Sequence, residues 1–202
     1  MGFSGNAPEK KVVSKTYSFK PFTAVDIKTA TQYGSICSLS IAKVSKNGTI
    51  TDTKNWLVKP PNNRYDDASM QMYNVNPELT KDAPSIIEIL PEILPYFENK
   101  YVAAHYAPFH CEQIAALKSN FNIKGVYCSR AVARYKLPQL PDYKLPTICK
   151  ELDIELDYFD LISHAVACAK IMINLNPYIN HILSWDQARD KEHYKNYFNS
   201  TM

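Results

Sequence analysis

The dipeptide Asn47-Gly48 sits between two runs of β-type residues, "SICSLSIAKVS" (35–45) and "TITDTKNWLVKP" (49–60). Asn-Gly in that setting is the strongest short hairpin signal, because both residues tolerate the positive φ of a tight turn. "FTAVDI" (22–27) is a further β-type run, so three consecutive strands open the folded unit. The pattern then changes. "SIIEILPEILPYFENK" (85–100) has apolar residues at helical spacing, and Pro91 and Pro95 are expected to kink or divide that helix, since each removes an N–H donor. "YVAAH" (101–105) is a fourth strand, followed by a helix from about Pro108 to Asn120. "GVYCS" (125–129) is a fifth, running into a helix that ends near Tyr135. "LPTICKELD" (145–153) and "LISHAVACAKIMINL" (161–175) read as two more helices. A strand meander that gives way to strand–helix alternation predicts an α/β fold with one mixed five-stranded sheet flanked by helices.

A chain of 202 residues with 46% hydrophobic content can bury one good core. Residues 1–20 carry Lys10, Lys11, Lys15 and Lys20 and read as a basic arm. Residues 21–176 hold the patterned elements. Residues 177–202 read as a polar, aromatic helical tail outside that unit, in which Trp185, Tyr194, Tyr197 and Phe198 suit contact with a protein partner or a second copy. The 23 basic and 20 acidic residues leave only +3, so charge alone predicts no general polyanion binding. Five cysteines, odd in number and without a C-x-x-C pair, point to reduced, buried thiols and a cytoplasmic protein. No apolar run approaches the ~18 residues of a membrane span, and the N-terminus lacks a signal-peptide core, so no membrane association is expected.

The chemistry is sought where strands end and helices begin, as in other open α/β sheets. "AHYAPFHCEQ" (104–113) is such a place, and it holds His105 and His110. "FTAVDIKTA" resembles the first motif, D-x-E-T-A, of the DEDDh-type 3′–5′ exonucleases, which have a ribonuclease-H-like fold. "LVKPPNNRYD" looks like that family's third-strand exit, and "HYAPFH" its second motif, H-N-A-x-F-D. "LPQLPDYKLPTIC" is similar to its L-P-x-L-P-x-Y-K-L-x-T-L-C segment, and "FDLISHAVACA" to its third motif. The resemblance runs in order from Phe22 to about Leu175 and makes residues 21–176 an exonuclease-like domain.

The resemblance implies four carboxylates that hold two Mg²⁺ ions and a histidine that activates water. At the matching positions Asp26 is kept, Lys28 stands for Glu, His110 for Asp, His164 for Asp and Phe159 for the general-base histidine. Tyr106 replaces the motif Asn, and Met72-Tyr73-Asn74 takes the place of the family's I-H-G. Mg²⁺ wants oxygen ligands at roughly 2.0–2.1 Å and takes imidazole poorly. An ammonium 4 Å from a unit positive charge is repelled by about 4 kcal/mol at an effective dielectric near 20. The expectation is therefore a catalytic set that is no longer intact, no resident cofactor, and no Mg²⁺ site.

Each substituted residue has a plain structural reading beside the functional one. His105 at a strand end is expected to bond loop backbone. His110 and His164 are either ordinary pocket histidines or, with Asp26, a two-His-one-carboxylate site for a transition metal, which Lys28 opposes. Lys28 is either filler or a cation that neutralises a phosphate directly. On the functional reading Lys28, Thr29, Tyr73, Tyr106, His110 and His164 hold single-stranded DNA or RNA at its 3′ end, tighter as pH falls through ~6.5 and the histidines charge. On the structural reading the fold persists as a scaffolding subunit of a nucleic-acid-processing complex. An active exonuclease or other hydrolase with a rearranged metal site is the enzyme alternative.

Overall fold

Strand β1 (Phe22–Thr31) is buried along its length apart from Asp26 and Thr31, which are partly exposed. A strand covered on both faces belongs inside a sheet. In the computed structural model, which describes residues 20–32, 34–117, 121–175 and 182–200, β1 pairs antiparallel with β2 (Gly34–Val44) and parallel with β4 (Tyr101–Ala104). β2 pairs antiparallel with β3 (Ile50–Leu57) through the expected hairpin. Its loop is closed by Gly48 N–H to the Ser45 carbonyl (3.0 Å) and Ser45 N–H to that of Thr49 (2.9 Å). Gly48 takes the left-handed φ of 74° there. β5 (Gly125–Cys128) lies parallel to β4. The basic arm, but for Lys20, lies outside the described residues.

Among the described residues six strands form the sheet, not five, in the order β3-β2-β1-β4-β5-β6. The sixth is Ile182–Leu183, antiparallel to β5. Two residues show no readable periodicity, which is why the strand escapes sequence inspection. Gly125 admits it, because a Cβ there would lie 2.5 Å from Ile182 Cγ2. The segment expected to be a separate tail thus joins the domain: Leu183, Ala188 and Tyr194 are buried in the main core.

Helices α1 (Asp67–Tyr73) and α2 (Pro77–Thr80) occupy a stretch that carries no clear sequence periodicity. Asp66 starts α1 by accepting from Ser69 N–H (2.7 Å), and Asn76 starts α2. α3 (Ile86–Phe97) runs through both prolines as one helix. A Ser85–Glu88 capping box sets its start, and Ile89, Ile93 and Phe97 bury one stripe at four-residue spacing. Ile87, Pro91 and Pro95 all face outward, so the carbonyls the prolines leave free are on the solvent side.

α4 (Ala107–Ala116), α5 (Ser129–Lys136), α6 (Leu145–Glu151) and α7 (Ser163–Leu175) follow, then α8 (Trp185–Arg189) and α9 (Lys191–Ser200). One sheet face, through Val25, Ile27, Leu39 and Ile41, packs on α3 and α4. The other, through Phe22, Ala24, Ala42 and Ala103, packs on α7, whose Ala165, Cys168 and Ala169 permit close approach. Among the described residues no helix is long and apolar enough to cross a membrane. The five cysteines are buried and unpaired.

Candidate active-site crevice

β1 outruns β4, since their pairing stops at Val25↔Ala104. Asp26, Ile27 and Lys28 therefore enter the crevice beyond the carboxyl ends of the parallel strands, where open sheets take ligands. Lys28 Nζ donates to Asp26 Oδ2 at 3.0 Å, with the two side chains 3% and 14% exposed. The Tyr73 ring, delivered by α1, covers the ammonium at 5.1 Å from its centroid. Burial works to raise the Asp26 pKa, but Lys28, with His110 and His164 behind it, holds the carboxyl below its ordinary range. Such a pair persists only as a pair, because either charge alone in a dry site is costly.

His110 fills the space between β1 and β4. Its Nδ1 accepts the Ile27 N–H at 3.2 Å, a donor that β4 is too short to satisfy. With Nδ1 an acceptor, Nε2 carries the proton and donates to the His105 carbonyl at 3.1 Å. Both ring nitrogens are thus used within the protein. The 3.9 Å approach of Nε2 to Asp26 Oδ1 is a contact of a neutral ring, because burial pushes the His110 pKa down despite the aspartate. Phe109 packs edge-on against it at 5.1 Å.

His164, in the first turn of α7, feels the same carboxylate, yet burial dominates and its pKa is also lowered. Tyr158 packs edge-on against its ring at 5.3 Å. Among the described residues its Nε2 is buried without a hydrogen-bond partner. His105 bonds Ser129 Oγ at 3.0 Å, and burial, then His110 and Arg130, push its pKa down to about 4. The charging of His110 and His164 anticipated near ~6.5 is therefore displaced downward, and both rings are mostly neutral at that pH.

This has a stability consequence. The three histidines titrate lower in the folded protein than the ~6.5 of an unfolded chain, so unfolding takes up protons below that pH. Their contribution is complete above ~6.5 and is lost as pH falls toward the folded values. Asp26, also depressed, adds its loss at still lower pH. His105 alone should cost about 2 kcal/mol between pH 7 and pH 5. Thermal melts across that window should show Tm falling steadily; an unchanged Tm would mean the imidazoles are not held neutral.

The remaining candidates divide. Thr29 and Tyr73 line a cavity of ≈ 400 Å³ beside the ion pair, together with Asp66, Met72 and Phe109. Tyr106 stands at the rim, 37% exposed. Phe159 is 69% exposed on the segment before α7. Tyr158, Phe109, Ser129 and Asp66 stand beside these residues without being among the candidates at the motif positions. Of these, Asp66, an acidic residue ahead of a helix, and Phe109, at the Phe of the H-N-A-x-F-D motif, carry a readable signal.

The donors here do not suit Mg²⁺. Asp26 is the one carboxylate at the motif positions, its Oδ2 is taken by an ammonium, and His110 has no free nitrogen. Among the described residues no three His, Cys, Asp or Glu side chains are placed to hold a metal ion, the trio Asp26, His110 and His164 included.

The mixed sheet flanked by helices is a ribonuclease-H-like fold. The exonuclease family model matches residues 22–164, and the chain belongs to that family. A PolC-type DNA polymerase III from Oceanobacillus iheyensis is 26% identical over 145 residues, 67% of this chain but 10% of that polymerase. The PolC-type enzyme of Caldanaerobacter subterraneus subsp. tengcongensis is 27% identical over 139 residues, 64% of this chain and again 10% of its own length. Exonuclease X, solved in complex with 5′ overhanging duplex DNA, superposes with a TM-score of 0.59 at 17% identity, over 81% of this chain and 98% of that one. The nuclease domain of 3′hExo, a DEDDh family member bound to rAMP, gives 0.60 at 12% identity, over 78% and 91%. At these identities the likeness carries the fold.

Proposed function

We propose that the protein is a catalytically inactive member of its family that binds the single-stranded 3′ end of DNA or RNA, as a subunit of a nucleic-acid-processing complex. The observation that carries this reading is the Lys28–Asp26 ion pair at 3.0 Å, which sets an ammonium where the family motif has a metal-binding glutamate. The pair is close to neutral, so the crevice floor neither recruits Mg²⁺ nor repels phosphate as four carboxylates would. Lys28 is engaged with Asp26 and Tyr73, and binding then rests on apolar contact. The ≈ 400 Å³ cavity lined by Met72, Tyr73 and Phe109 is of small-ligand size and offers aromatic faces to a terminal base. The complexes of Exonuclease X with DNA and of 3′hExo with rAMP support nucleic acid as the ligand class. Five buried thiols suit a reducing compartment, hence the cytoplasm.

Fluorescence anisotropy with a single-stranded oligonucleotide tests the reading. Binding in EDTA should equal binding in Mg²⁺ at matched ionic strength, and Tyr73→Ala should weaken it about ten-fold. If no oligonucleotide binds while the protein elutes with another polypeptide, the scaffolding role replaces this one.

A further inference from the structure

The rim of the crevice holds a tyrosine in a conformation tyrosines avoid. Tyr106, between β4 and α4, has φ 61° and ψ 64°, a left-handed backbone that disfavours residues with a Cβ. Its ring is nevertheless well positioned. Tyr194 of α9 packs edge-on against it at 5.5 Å, and the Arg130 guanidinium lies over it at 5.3 Å from the centroid. Despite these contacts Tyr106 remains 37% exposed. Among the described residues Arg130 has no salt-bridge partner. Its charge reaches His105 and Asp142.

We infer that Tyr106 and Arg130 form a nucleotide-binding step beside the terminal cavity, in which a base of single-stranded nucleic acid stacks on the Tyr106 ring while Arg130 pairs with its phosphate. Tyr106 follows β4 and Arg130 follows β5, so both stand over the carboxyl ends of neighbouring parallel strands. Tyr106 precedes His110 by one helical turn, about 6 Å along α4, which places the step next to the Asp26 cluster. A ring already held by Tyr194 and Arg130 loses little freedom when a base stacks on it. Arg130 supplies what the floor lacks: a cation without a salt-bridge partner among the described residues, whose planar group both stacks on aromatics and forks to phosphate. The motif asparagine at this position would tolerate the left-handed backbone but has no face for a base. This step rests on the reading of the crevice as a nucleic-acid site.

The test uses the whole protein and a single-stranded oligonucleotide carrying 2-aminopurine, in EDTA. Wild type should quench the 2-aminopurine on binding. Tyr106→Asn, which suits the left-handed backbone, should fold with an undiminished Tm, bind about ten-fold more weakly and lose the quench. Arg130→Gln should weaken binding and lower the slope of log affinity against log salt by about 1. If wild type binds but both variants match it in affinity, quench and salt slope, this step is wrong and the terminal-cavity reading stands. If wild type binds no oligonucleotide, both readings fall.

Discussion

Lys28→Met should destabilise the fold by about 3–5 kcal/mol, because it leaves the Asp26 carboxylate buried without its cation. The effect is large against the roughly 5–15 kcal/mol that holds a domain together. Asp26→Asn should cost a comparable amount, since the Lys28 ammonium, 3% exposed, then lacks its acceptor and keeps only the Tyr73 ring. The double variant Asp26→Asn/Lys28→Met removes both charges and should fall within about 1–2 kcal/mol of wild type, as neutral replacements of buried pairs commonly do. The cycle would then show a coupling of several kcal/mol. Urea unfolding at pH 7 reads all four proteins. A Lys28→Met midpoint equal to wild type would place the ammonium in solvent and remove the physical basis of the site described above.

The same pair shows what the sequence discloses and what it withholds. The hairpin at Asn47-Gly48, the β-type run that becomes β1 and the strand-to-helix turn at His105 follow local rules of turn chemistry and periodicity, and all are present. The motif positions bring Asp26, Lys28, His110 and His164 into one crevice because the family topology places them there. What each side chain does depends on partners far away in sequence. That His110 is a backbone acceptor and donor follows from β4 ending at Ala104 while β1 continues, a difference in strand length no pattern within "HYAPFH" encodes. The burial that keeps His110 and His164 neutral is likewise a tertiary property. α3 survives two prolines because Ile89, Ile93 and Phe97 anchor its other face, so packing overrides a local breaker. β6 and the docking of Tyr194 were hidden for the same reason: two paired residues and one buried ring leave no periodic trace.

His105 and His110, so conspicuous in "AHYAPFH", thus have structural duties. His105 bonds Ser129 and sits too low in pKa to charge at neutral pH. His110 closes the end of the sheet. Two-metal hydrolysis needs carboxylates that clamp both the attacking and the leaving oxygen, and Asp26, the carboxylate kept at the matched motif positions, is bound to the Lys28 ammonium.

The most direct measurement is therefore degradation of a 5′-labelled single-stranded DNA or RNA by the purified protein at high concentration, with Mg²⁺ or Mn²⁺ added. The account predicts that the oligonucleotide keeps its full length at every time point, with either metal and equally in EDTA. Metal-dependent shortening from the 3′ end that disappears in the Asp26→Asn/Lys28→Met variant, itself shown to be folded, would contradict it and establish an active exonuclease with a rearranged site.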